Sequence, residues 1–286
     1  MFPESLSWPL GEYISTAVDW LVINHGDAFE RTANGLLYIL VKVEQALRQL
    51  PWWSVIIAIA GIAYHASRKL SLSFALVAAM LLIGSLGLWD LAMQTLALML
   101  VATTLAVMLG IPIGIGLSQS TYVRRLVLPL LDAMQTLPSF VYLIPALMLF
   151  GLGKVPAIFA TVIYAIPPVI RLTDLGIRLV DKEIVEASQA FGATRRQRLM
   201  GVQLPLALPN IMAGINQTTM MALSMVVIAS MIGARGLGEQ VLLGIQRLDV
   251  GQGAEAGIAI VALAIIFDRI TQAYGQRSQQ YRSVPH

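Results

Sequence analysis

Long apolar runs recur along this 286-residue chain with hardly a charge inside them. A helix needs about 20 apolar residues to cross roughly 30 Å of hydrocarbon. Seven runs are candidates: residues 52–65, 72–89, 91–117, 137–150, 155–170, 211–232 and 256–267. The first, fourth and seventh are short. A single charge, Asp90, separates the second from the third and requires a tight turn. Gly110, Pro112, Pro145, Pro167 and Pro168 fall inside runs. They would count against a soluble helix, but in a bilayer neighbouring helices satisfy the freed backbone groups. The pattern predicts an all-α, polytopic membrane protein with about seven transmembrane helices, and no fixed charge lies deep in any run.

Composition closes the other routes. Charged residues make up 12% of the chain, against roughly 25% in a soluble domain, too few to wet the surface of a cytosolic enzyme. A hydrophobic fraction of 57% excludes disorder, which needs little apolar content and much charge. Without cysteine there are no disulfides, thiolate metal sites or cysteine nucleophiles. A net charge of +3 gives no reason to expect nucleic acid as a partner.

The first fifty residues read as extramembrane. Residues 1–10 lack the basic n-region of a signal peptide. Leu36, Leu40, Val43, Leu47 and Leu50 share one helical face, while Lys42, Glu44, Gln45 and Arg48 take the others. Two readings fit: an amphipathic helix on the membrane surface, or a helix packed on the protein's own core.

Basic residues favour the cytoplasmic side of a membrane. With the N-terminus outside and seven spans, thirteen basic and six acidic residues fall inside, a net +7. Six basic and ten acidic fall outside, a net −4. The charges therefore predict N-out, C-in.

Residues 171–210, between the fifth and sixth runs, form a polar segment holding six of the inside basic residues. Asp181 is placed to cap a helix over 182–191. Gly192 stands where a left-handed residue ends a helix, and Thr194 with Gln197 fits a capping box. Pro205 then reads as a stop. Three readings compete for this helix–glycine–helix unit: a solvated connector, a DNA-binding helix-turn-helix, and a docking element for a cytoplasmic partner. Apolar runs on both sides hold it at the membrane and disfavour DNA.

The spacing inside the segment carries a resemblance. Glu186-Ala187-Ser188, three residues, Gly192, nine residues, Val202-Gln203-Leu204-Pro205 resembles the EAA loop of ABC importer permeases, the binding-protein-dependent inner-membrane components. That pattern reads Glu-Ala-Ala, three residues, Gly, nine residues, Ile-x-Leu-Pro. Ser188 and Val202 are the two departures, and both keep the shape. Leu131 to Pro145, Ile166-Pro-Pro-Val-Ile-Arg171-Leu-Thr, Asn216 to Ser230 and Gly236-Leu-Gly-Glu-Gln resemble the glycine betaine/proline betaine (osmoprotectant) branch.

The resemblance implies a type I ABC importer permease fold. It implies a core of five spans over 91–272, containing a cytoplasmic coupling loop at 171–210. Residues 1–50 would then be an extracytoplasmic tail with a surface helix, 51–90 two accessory spans, and 273–286 a cytoplasmic tail. It further implies a cell inner membrane location, a second permease copy, an extracytoplasmic substrate-binding protein and a cytoplasmic ATPase dimer. No cofactor is expected on this chain; ATP and Mg would sit on the ATPase, which does the hydrolysis. Glu186, Ala187, Ser188, Phe191, Gly192, Ala193, Val202, Leu204 and Pro205 would form the coupling element.

The residues agree with a transport subunit rather than an enzyme. The nearest string to a phosphate-binding loop, Gly151-Leu-Gly-Lys154-Val, lacks the first glycine and the hydroxyl. His25, His65 and His286 form no metal pattern. For a substrate pathway the candidates are Asn216, Thr219, Met220 and Ser224 on the sixth run, with Tyr142. Polar residues in spans usually face the bundle interior, and methionine repacks readily. Ordinary helix packing is the competing reading. Phe140, Tyr142 and Tyr164 offer π faces to a quaternary ammonium, or pack in the core. Rival functions are a permease for another small solute, such as choline or an amino acid, and an ion-coupled secondary transporter. The latter would show inverted repeats or an intramembrane ion site.

Overall fold

A computed structural model of the chain describes residues 9–280, which are helices joined by short turns, with no strand among them. Residues 1–8 and 281–286, where most of the leader reading and the last six residues of the predicted C-terminal tail fall, lie outside the described residues. The helices in chain order are α1 (Leu10–Gln49), α2 (Trp52–Ser67), α3 (Leu70–Ser85), α4 (Trp89–Gln119), α5 (Thr121–Thr136), α6 (Ser139–Phe150), α7 (Lys154–Arg178), α8 (Lys182–Ala190), α9 (Arg195–Arg198), α10 (Leu204–Ala229), α11 (Leu237–Arg247) and α12 (Val250–Gln280).

α4, α7, α12 and the helical stretch Arg195–Ala234, which kinks at Ile232 and Gly233, are each long and apolar enough to cross a membrane. Two bent pairs, α1 with α2 and α5 with α6, bring the number to six if each counts as one span, and α3 is a shorter apolar helix. The bends, 105° and 98°, share a cause. Leu50 precedes Pro51 and Leu137 precedes Pro138. A residue before proline is pushed out of the α region, and both sit at ψ near +135°.

The core is α4, α7 and α10, held together by small residues. A Cβ at Gly114 would lie 2.6 Å from the Ile170 carbonyl oxygen. One at Gly176 would lie 2.7 Å from Asn210 Cβ, and one at Gly214 3.0 Å from Val169 Cα. Ala97, Ala102, Ala157, Ala160, Ala165, Ala222 and Ala229 fill the adjoining cluster. Between membrane helices the hydrophobic drive is weak, so close backbone approach through Gly and Ala is what gains dispersion energy.

Contacts between helices define two ends. Arg178, at the end of α7, donates to the Leu117 carbonyl near the end of α4. α12 runs antiparallel to α10, with Gly275 against Met212, and Arg277 reaches the His65 carbonyl at the end of α2. This end thus collects the α2–α3 turn, the C-termini of α4, α7 and α12, and α8–α9. At the opposite end Lys154 pairs with the buried Glu44 of α1, and Arg48 lies 3.5 Å from Asp90.

Several expectations change here. α1 is 40 residues long and begins at Leu10, not near Leu36. Leu40 is buried in the core with Val43 and Leu47 against it, while Trp20 and Ile23 are exposed. The C-terminal part therefore packs on the protein, as one of the two readings had it. Residues 171–178 are not loop but the last two turns of α7. Pro205 does not stop the second helix: Leu199–Gln203 form a π turn that runs straight into α10. Proline lacks an N–H and its ring clashes with the carbonyl four residues back; the wider turn just before it accommodates both. α5 and α11 were not anticipated as helices.

Candidate functional site

The polar segment between α7 and α10 is built from local rules. Asp181 accepts the Glu183 N–H at 2.9 Å and caps α8. The helix ends at Phe191, after which Gly192 takes φ +80°. There the Gly192 N–H bonds the Gln189 carbonyl at 2.9 Å and the Ala193 N–H bonds the Ser188 carbonyl at 3.1 Å. These are the two bonds of a Schellman C-cap, in which the left-handed residue is normally glycine. Nothing lies within 4 Å of a Cβ added at Gly192, so the requirement is angular and not one of space. Thr194 then opens α9: its N–H bonds Gln197 Oε1 at 2.9 Å while the Gln197 N–H bonds Thr194 Oγ1, completing the capping box.

The two legs of this turn are fixed differently. On the outgoing side α9, the π turn and α10 run as one helix from Arg195 to Ala229, and the chain leaves helical geometry only beyond it, at Ile232 and Gly233. On the incoming side the end of α7 is locked by charge. Asp174, 1% exposed, accepts from Arg124 Nε of α5 and from Arg178 Nε, both at 2.8 Å. Arg171 pairs with Asp132 of α5. A carboxylate this buried is tolerable only when its oxygens are paired, and here each faces a guanidinium.

Among the predicted coupling residues, Glu186 and Ala187 are exposed on α8, and Ser188 is half-buried with its hydroxyl donating to the Val185 carbonyl. Phe191 is 93% exposed. Ala193, Val202 and Leu204 are half-buried and Pro205 is exposed. α8 packs against the π turn, bringing Glu186, Val185 and Gln203 around one cleft with Ile177 and Arg178. Among the described residues no ion pair joins Glu186 to Arg195 or Arg196. What remains is a small rigid knob with an apolar tip and a rim of Lys182, Arg195 and Arg196. It carries no catalytic constellation.

The predicted pathway residues do not converge on one face. Asn216 faces α12, donating to Asp268 Oδ1 at 3.2 Å and accepting from Thr271, while Gln272 also donates to Asp268 at 2.6 Å. Thr219 is buried with its hydroxyl on the Ile215 carbonyl. Met220 and Ser224 share an open stripe with Ala213 and Gln217, at spacings of four, three and four. Tyr142 points inward, bonded to the Met134 carbonyl, its ring 5.8 Å from Tyr164 in a T-shaped pair. Phe140 is exposed and not part of that pair.

The Asp174 cluster and Asp268 were missed by reading apolar runs, which end at the first charge. The i, i+4 spacing of Asp174 and Arg178 was the available signal. The small-residue spacing of Gly110 and Gly114 was another.

Comparison with known proteins follows the same lines. Residues 106–280 match the family described as "Binding-protein-dependent transport system inner membrane component". The chain is 48% identical to the glycine betaine/proline betaine transport system permease protein ProW of Escherichia coli (strain K12), over 95% of this chain and 76% of that protein. It is 48% identical to the glycine betaine transport system permease protein OpuAB of Bacillus subtilis (strain 168), over 92% of this chain and 93% of that one. Among solved structures, an inward-facing form of the MetNI methionine ABC transporter matches with a TM-score of 0.55 and 25% identity, covering 68% of this chain and 94% of the solved one.

Proposed function

The chain belongs to the binding-protein-dependent transport system inner membrane components, the multi-pass permease subunits of ABC importers, and on that premise we propose that it admits glycine betaine and proline betaine. As a permease it associates with an ATPase and a substrate-binding protein and is not itself an enzyme. The proposed cycle begins with delivery of substrate by the extracytoplasmic binding protein to a pair of permease copies. ATP and Mg bind the two ATPase subunits, whose closure moves the α8–α9 knob and, through the unbroken helix into α10, the spans.

The single observation that carries this reading is the exposed Phe191 on a doubly capped turn, continuous with α10. Aromatic side chains are strong interface anchors, and an exposed one at a rigid tip suits a groove on a partner. Glu186, Ala187, Ser188 and Ala193 shape the knob; Val202, Leu204 and Pro205 join it to the span. The charge bias supports N-out, C-in, which places the knob, the α2–α3 turn and residues 273–286 in the cytoplasm and α1 outside. Within the core of 91–272, Met220 and Ser224 lie on an open stripe suited to a pathway. Asn216, Thr219 and Tyr142 are engaged in packing contacts away from that stripe.

Reconstitution tests the reading. The chain with its ATPase and binding protein in liposomes is expected to take up glycine betaine only when ATP is supplied. Uptake by the chain alone, driven by an ion gradient, would reject it. ATP-driven uptake of choline or an amino acid in place of betaine would keep the machine and overturn the substrate.

A further inference from the structure

Nineteen basic residues are distributed over the chain, and those inside the bundle are matched: Lys154, Arg124, Arg171 and Arg178 each hold a carboxylate. One group is not. Arg68 and Lys69 form the tip of the α2–α3 hairpin. Arg269 and Arg277 lie on α12 two turns apart. All four line one groove of about 870 Å³. No carboxylate lines it among the described residues, and none of the four is in an ion pair there. The volume is in the range of sites that hold small ligands.

The groove is held in shape. Arg68 is in the left-handed region at φ +57°, with its N–H on the Tyr64 carbonyl at 2.8 Å. The Lys69 N–H bonds Ser67 Oγ at 3.1 Å. Arg277 is tied through one nitrogen to the His65 carbonyl, leaving its other N–H groups free. Four like charges on a fixed frame repel one another unless an anion sits between them.

We propose that this groove binds the phosphate headgroup of an anionic phospholipid. Two observations favour a lipid over a free phosphate. The wall beside the charges is apolar, with Leu72 and Ala75 in the lining and Phe74 of the same helix 72% exposed, so an acyl chain has a track next to the phosphate. And α2 and α3 have 16 residues each, about 24 Å of helix, short of the roughly 30 Å of hydrocarbon. On the proposed topology a hairpin this short sets its charged turn near headgroup depth, where basic pockets between helices recognise anionic headgroups.

The test uses the permease purified with its ATPase, stripped of lipid, then exposed to equal amounts of phosphatidylglycerol and phosphatidylcholine and examined by native mass spectrometry. Retention of one phosphatidylglycerol per chain, at least about tenfold over phosphatidylcholine, is expected. R68Q/K69Q/R269Q/R277Q should abolish the preference. The charge-matched R31Q/K42Q/R235Q/R247Q, on residues outside both the groove and the knob, should keep it. R68K/R269K/R277K, which retains charge, should keep it too. If the fourfold variant fails to fold, R68Q/K69Q at the exposed turn should still lower the preference several-fold. Equal retention of the two lipids, or an unchanged preference in the R68Q/K69Q variant, would overturn the proposal. Displacement of phosphatidylglycerol by equimolar soluble glycerol phosphate would assign the groove to a free anion and overturn the lipid.

Discussion

Two regions of this permease depend on glycine for opposite reasons. In the α4–α7–α10 core, Gly114 and Gly176 are required because no atom fits: a Cβ would meet Ile170 oxygen at 2.6 Å or Asn210 Cβ at 2.7 Å. In the α8–α9 knob, Gly192 has open space around it and is required because φ is +80°. The first region converts sequence into close packing that keeps the spans together. The second converts it into a fixed angle, with little buried contact behind it. Damage to the core should appear as loss of the protein. Damage to the knob should appear as a folded protein that has lost communication with its partner.

Mutations sharpen that contrast. Gly114→Val should have the largest effect. Forced overpacking against a backbone oxygen costs on the order of 3 kcal/mol or more, and the chain should fail to accumulate as a monodisperse species in detergent. Asp174→Ala leaves Arg124 and Arg178 facing each other. Breaking a fully buried pair costs about 3–5 kcal/mol, and since both arginines are a third exposed, about 2 kcal/mol is expected, read as a lower midpoint of thermal unfolding. Phe191→Ala should leave the melting curve unchanged but weaken ATPase binding by about 2 kcal/mol, roughly 30-fold in Kd, measured by titrating the ATPase onto permease in nanodiscs. Gly192→Ala should cost only about 1–2 kcal/mol locally and lower transport without lowering yield. If Gly192→Ala reduced yield as strongly as Gly114→Val, the distinction between the two glycine classes would collapse.

Short-range chemistry was legible in the sequence and long-range pairing was not. Asp181, Gly192 and the Thr194–Gln197 box could be placed because each cap is decided within four residues. The seven apolar runs likewise fall on helices. The ends of those helices were misplaced because hydropathy counts a charge without seeing its partner: α7 continues through Arg171, Asp174 and Arg178 since α5 and α4 satisfy them. α5 itself carries Arg124, Arg125 and Asp132, so no apolar run announced it. Pro205 read as a stop because a π turn before it leaves no mark in composition. Asn216 was singled out as a polar residue in a span. That it binds Asp268 and Thr271 depends on α10 and α12 being neighbours, which no local pattern encodes.

Coupling through the knob is the central claim, and Gly192→Asp tests it most directly. An aspartate tolerates the left-handed backbone better than most residues, and it sets a carboxylate beside Phe191 at the point where that ring would enter the ATPase. ATP-dependent glycine betaine uptake should be measured in liposomes holding equal amounts of wild-type or variant complex. The variant is expected to insert, retain its melting temperature and lose uptake. Uptake at the wild-type rate would contradict the coupling role of the α8–α9 turn.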